Sequence, residues 1–204
     1  MGRKQRRTRE RDSFNVYTAG DKFFRGTGCG EPQHLVQALV DFVSRSPKAF
    51  FGIELIHVWT LGTAPYIDEK FRDNFRIDSF FISEGTRNAI NRGAADYTPV
   101  SLSAVPGLIR REIIPIDVAL IQTSPPDKHG YMSLGISVDI VKAATQKASL
   151  IVAQINSHMP RTQGDGFINI KDVHFIIHRD ATLLDTRWID RREILKVIAE
   201  YVTA

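Results

Sequence analysis

Two runs in this chain constrain its fold more than anything else in it. They are VALI, within residues 117–122, and LIVAQI, at residues 150–155. A strand with one wet face alternates apolar and polar residues. These runs are apolar at consecutive positions, so both faces must be covered. That is the pattern of a parallel sheet buried between helices. Further strands are expected at 22–25, 53–59, 79–82 and 173–177.

The segments between them have helical spacing. In 33–42, Leu35, Val36 and Leu39 share one face with Val40 and Val43, and Pro32 sits where a missing N–H is harmless. Helices are also expected at 84–91, ended by Gly93, at 106–112, closed by Pro115, and at 138–147. The last is expected at 190–202, with Ile194, Leu195, Ile198 and Val202 facing inward. The alternation predicts an α/β fold: an open, mostly parallel sheet with helices on both faces. Right-handed crossovers bring the loops after the strands to one edge, where chemistry is to be sought.

Bulk properties narrow the class. The chain has 204 residues, 43% hydrophobic and 25% charged, which is ordinary for a soluble globular protein. Its one cysteine, Cys29, excludes an internal disulfide and a multi-thiolate zinc cluster. That suits a reducing cytoplasm. No apolar run approaches the roughly 20 residues of a membrane span. The net charge of +4 resides wholly in residues 1–12, where six Lys and Arg face Glu10 and Asp12. The rest of the chain balances to zero. Residues 1–12 therefore read as a basic disordered tail or linker, and 13–204 as the folded domain. A nucleic-acid contact through the tail ranks last among the functional readings, because the folded body is not basic.

Three stretches can carry chemistry, and each follows an expected strand. GTGCGEP places Gly26, Gly28 and Gly30 at alternate positions ahead of Glu31 and Pro32. Such a loop lets backbone approach an anion, a carboxylate or a thioester oxygen, or else it makes a tight turn. It is neither the dinucleotide fingerprint, since Glu31 stands where a glycine is required, nor a Walker loop. SPPDKHGYMSLG holds Ser124, Pro126, Asp127, His129 and Gly130 in a stiff loop. Asp127 and His129 are either a base with its orienter or a capping network. QINSHMPRTQGDG carries Asn156, Met159, Pro160, Arg161 and Asp165. Arg161 either clamps a carboxylate or forms an Arg–Asp pair that holds the loop. His57, in the strand ELIHVW, reads as a core histidine, and no cluster has metal-ligand spacing.

Five ordered blocks together resemble a known family: GTGCGEP, ELIHVWTLGTAPY, GAADYTPVSLSAVP, DVALIQTSPPDKHGYMSLGISVD and AQINSHMPRTQGD. They are similar to the amino-terminal domain of the acetyl-CoA hydrolase/4-hydroxybutyrate CoA-transferase family, over residues 20–165. The resemblance implies a CoA-transferase-type α/β fold and two similar domains per subunit, paired as a homodimer. It implies acyl-CoA and a small carboxylic acid as substrates, with no bound cofactor. A glutamate of the family attacks the thioester, giving an acyl-glutamyl anhydride and then a glutamyl-CoA thioester. That glutamate belongs to the carboxy-terminal domain, and no glutamate here matches it. The chain is thus expected to be the amino-terminal half of such an enzyme and inactive alone. The residues of the three loops named above, Gly26 to Arg161, are its expected substrate-binding set. The alternative is a non-catalytic binding or interaction module that retains the fold.

Overall fold

The computed structural model describes residues 6–7, 19–186 and 192–203. Its frame is one parallel sheet. In chain order the strands are β1 (Arg6–Arg7), β2 (Lys22–Arg25), β3 (Ile53–His57), β4 (Phe75–Ser79), β5 (Asp96–Tyr97), β6 (Val118–Thr123), β8 (Leu150–Ile155) and β10 (Phe175–His178). Their order across the sheet is β1-β10-β8-β6-β2-β3-β4-β5. Two three-residue strands, β7 (Tyr131–Ser133) and β9 (Phe167–Asn169), pair antiparallel beside it.

The runs that are apolar on both faces lie at the centre. β6 is buried at all six positions and pairs with β8 from Val118–Leu150 to Thr123–Ile155. One face of the sheet packs on helix α1 (Gln33–Arg45): Leu35, Val36, Leu39 and Val43 meet Phe23, Leu55, Leu120 and Val152. The other face packs on α3 (Val105–Arg110) and α4 (Val141–Lys147). There Val105, Ile109, Val141 and Ala144 meet Phe24, Ile56, Ala119 and Ala153. Alternate residues of one strand thus serve opposite cores, as Phe23 and Phe24 do. Each large apolar side chain buried this way contributes about 1.5–3 kcal/mol. Helices cover both faces, as expected.

The short helix α2 (Glu84–Asn91) starts at Ser83, whose hydroxyl forms a capping box with Thr86, and stops before Gly93 at φ 69°. The helix expected at 138–147 begins only at Val141, because Asp139 Oδ1 accepts the N–H groups of Ile140 and Val141.

Two expectations fail. The strand placed at 79–82 is β4, at Phe75–Ser79. The strand follows the alternation of buried Phe75, Ile77 and Ser79 with more open Arg76 and Asp78. Of the residues expected to face inward from the last helix, α5 (Arg192–Thr203), Leu195, Ile198 and Val202 are exposed, and the side chain of Ile194 lies outside the described residues. Of the basic segment 1–12, Arg6 and Arg7 pair in parallel with Phe175 and Ile176, and the others lie outside the described residues.

Candidate functional site

β8, β6, β2 and β3 are neighbours in the sheet, and all four run the same way. The three candidate loops leave the carboxyl ends of β2, β6 and β8. A fourth loop, 58–63, leaves β3 beside them. Parallel topology therefore gathers the expected residues on one edge, the usual ligand edge of such sheets.

The Gly-rich loop is built against its neighbours. The N–H groups of Gly26, Gly28, Gly30 and Glu31 donate to Leu120 O, Trp59 O, Thr27 O and Gly28 O. These four donors are engaged within the fold. What the glycines offer a ligand is close approach, not an N–H cradle. Gly28 has φ 52°, a conformation that favours glycine, and a Cβ on Gly30 would lie 2.5 Å from Ser137 Cβ. Ser137 Oγ in turn donates to Thr27 O at 2.8 Å, and Thr27 Oγ1 donates to Asp139 Oδ2 at 2.5 Å.

Glu31 ties this loop to the next. It is 2% exposed. One carboxylate oxygen accepts Leu61 N and the other accepts Gly62 N and Gln33 Nε2, each at 2.9 Å. Arg25, at the end of β2, brings Nη2 to 2.6 Å from Glu31 Oε1, a charge contact without hydrogen-bond alignment. Burial pushes the Glu31 carboxyl up from the ordinary range, while Arg25 and the two backbone donors pull it down. The Arg25 guanidinium also lies 5.7 Å from the ring centre of buried Tyr66. Burial and then the Arg25 charge hold His57 well below the usual histidine range. His57 Nδ1 is 2.9 Å from Thr60 Oγ1, and its ring meets Tyr66 edge-on. It is a neutral core histidine.

The second and third loops are joined by an ion pair. Asp127 Oδ1 accepts the N–H of His129 and of Tyr131, capping its own turn. Its Oδ2 accepts Arg161 Nη2 at 2.7 Å, and Arg161 Nη1 donates to Tyr131 O. The Arg161 guanidinium also lies over Phe167, 4.7 Å from the ring centre. Asp165 pairs with Lys142 at 3.4 Å instead. His129 is exposed, and Asp127 meets its backbone; no bond joins the two side chains. Gly130, at φ 83°, permits the turn. Ser124 Oγ accepts Ser133 N, Met159 is buried beneath Gly135, and Pro126 and Pro160 border the loops.

Asn156 reaches toward the Gly-rich loop through Gln122. Its Nδ2 donates to Gln122 Oε1 at 2.7 Å, and Gln122 Nε2 donates to Glu31 O at 3.2 Å. Asn156 also holds Ala181 O. Sequence reasoning missed Arg25, Gln122, Asp139 and Trp59. Only Trp59 carried a legible signal, being a large aromatic at the carboxyl end of a strand. No group of three metal-ligating side chains occurs among the described residues. None of their helices is long and apolar enough to cross a membrane.

A parallel α/β domain with four loops massed at one strand edge defines a domain of the open-sheet class. The match to a family model is more specific: residues 4–184 fit the acetyl-CoA hydrolase/transferase N-terminal domain, and the chain belongs to that family. It is 40% identical over 171 residues to the 4-hydroxybutyrate coenzyme A transferase of Clostridium kluyveri, covering 84% of this chain and 39% of that protein. It is 40% identical over 162 residues to the succinyl-CoA:acetate/propanoyl-CoA:succinate CoA transferase of Fasciola hepatica, covering 79% of this chain and 33% of that protein. The crystal structure of RipA from Yersinia pestis shares the fold, with a TM-score of 0.81 at 24% identity over 95% of this chain and 47% of that one. The chain thus spans less than half the length of each of these relatives.

Proposed function

We propose that this chain is the acyl-site half of a CoA transferase or acyl-CoA hydrolase, with the attacking carboxylate supplied by another domain. The observation that supports this is the state of Glu31. It is the one glutamate in the candidate loops, and it is buried and bonded on both oxygens. A nucleophile must present a free lone pair to the thioester carbon. Glu31 instead holds loop 26–32 against loop 58–63, and the edge is shaped to receive a substrate without attacking it.

In the full reaction, an incoming glutamate carboxylate adds to the thioester carbonyl, and the CoA thiolate leaves. The thiolate then attacks the glutamyl carbonyl of the anhydride, forming glutamyl-CoA and releasing the first carboxylate. A second carboxylate, or water, takes the next step by attacking glutamyl-CoA: the carboxylate gives a second mixed anhydride that the thiolate reopens to the new acyl-CoA, and water gives hydrolysis. The role of this chain is to hold the acyl group and exclude bulk water.

The test is to assay transfer from butyryl-CoA to acetate with this chain alone and after adding the carboxy-terminal domain of the Clostridium kluyveri relative. No turnover alone and turnover on complementation is the expected result. Turnover by the chain alone would overturn the half-site reading. No binding of any CoA ester even with the carboxy-terminal domain present would favour a non-catalytic module.

A further inference from the structure

The segment that follows β10 turns across the candidate edge. Its root is bound to β8 and to the loop after it. Gln154 Nε2 donates to Arg179 O at 3.1 Å, and Ser157 N donates to Asp180 Oδ1 at 2.7 Å. Ala181 is held at both its carbonyl and its N–H. The carbonyl accepts Asn156 Nδ2 at 2.8 Å and lies 3.0 Å from His158 Nδ1, while the N–H donates to Asn156 Oδ1 at 3.3 Å. Asn156 is itself wholly buried and bonded to Gln122, so it is a fixed post for the segment.

The other end of the segment meets a different loop. The Thr186 backbone makes a hydrogen bond to Cys29, in the Gly-rich loop after β2. Burial, then the Asp185 and Glu31 charges, push the Cys29 thiol up, and the Thr186 bond pulls it the other way. The strand order here is β10-β8-β6-β2, so the path from Asp180 to Thr186 passes over the ends of β8 and β6. From β8 to β2 is about 10 Å, and the segment reaches up to about 20 Å. Ala181, Leu183 and Leu184 are half-buried, whereas Thr182, Asp185 and Thr186 are exposed, which gives the segment an inner and an outer side.

We infer that residues 179–186 form a strap closed over the carboxyl edge and latched at Asn156 and Asp180, and that small molecules reach the Gly-rich loop from this side only when the latch opens. The latch bonds are local, so opening leaves the sheet intact. The inference holds whatever the edge binds, so it and the acyl-site reading fail separately.

Cys29 is the only cysteine of the chain and reports on the strap directly. The experiment treats the full chain with dithiobis-nitrobenzoate at mildly alkaline pH, folded and urea-unfolded, and follows hydrogen exchange at the Ala181 amide in parallel. The folded chain is expected to react at least about tenfold more slowly than the unfolded one. His158→Ala combined with Asp180→Ala, two exposed positions, removes two latch bonds without disturbing the core. It should raise the folded rate at Cys29 at least about tenfold and speed exchange at Ala181, with the melting temperature unchanged. Asn156→Ala should raise both rates further. A folded chain that reacts as fast as the unfolded one overturns the inference. So does faster exchange at Ala181 with no change at Cys29, which would make the latch a brace for the β8 loop alone. Unchanged rates in both measurements would show that these bonds latch nothing.

Discussion

Arg25 and Glu31 form an ion pair at 2.6 Å with both side chains almost wholly removed from solvent. Glu31 is otherwise satisfied by backbone donors from a separate loop, so the pair fixes two of the four edge loops relative to each other. Removing one partner strands the other charge in the interior. Arg25→Met is expected to cost about 3–5 kcal/mol in stability. The double change Arg25→Met with Glu31→Gln should cost less than the sum of the two single changes. Denaturant unfolding of the four proteins checks this, and strict additivity would show that the pair does not act as a unit.

His57 makes stability depend on pH. Its folded pKa lies well below the ordinary 6.5. The unfolded chain therefore takes up a proton below about 6.5 that the folded chain refuses. Stability is fully present above that pH and falls as pH drops below it, by up to about 1.4 kcal/mol per pH unit from this residue. His57→Phe should flatten the stability curve between pH 6.5 and 5 relative to the parent. Parallel curves would mean that His57 is protonated inside the fold.

Gly30 and Ser137 are packed too closely for any side chain at 30. Gly30→Ala is expected to destabilise by about 1–3 kcal/mol through overpacking. Adding Ser137→Gly removes the colliding Cβ and should restore part of the loss. It also deletes the bond to Thr27 O, so rescue stays incomplete. Thermal unfolding of the single and double variants reads the difference. A double variant no more stable than Gly30→Ala would place the strain elsewhere.

Asp127 is held below the ordinary carboxyl range, first by the Tyr131 N–H and with further help from His129 N–H and the Arg161 charge. A depressed carboxyl stabilises its loop above the ordinary value and loses that effect as pH falls through the folded one. Asp127→Asn should therefore speed hydrogen exchange at the Tyr131 amide near neutral pH, with little change in global stability, because solvent screens exposed pairs of this kind. Unchanged exchange at Tyr131 would show that the turn does not need the charge.

Much of this was legible in the sequence, for particular reasons. β6 and β8 declare themselves because no half-wet strand tolerates consecutive apolar residues. Topology then carried Gly28, Asp127 and Asn156 to one edge, since each follows a strand and the strands are parallel. The pairings were not legible. Arg161 had an aspartate four residues away, yet it bonds Asp127 across a loop, and Lys142 takes Asp165. Arg25 looked like the end of an ordinary strand, because nothing local shows that Glu31 folds back over it. The strands β7 and β9 are too short for any period to emerge. The helix α5 misled because an apolar stripe reports a face that can be covered, without saying that it is.

The outermost strand has a bearing on how the chain is made. β1 joins the sheet only through β10, its register running from Arg6 opposite Phe175. During synthesis β1 leaves the ribosome before the other strands of this sheet, and its template, β10, leaves after them. β1 must wait, unpaired, while β2, β3, β6 and β8 assemble behind it, and its docking is a late, long-range closure. Until then the open side of β10 is an unprotected edge. The first strand of the sheet to be made thus completes it, and a ribosome stalled after β8 would display a nascent domain with its margin still bare.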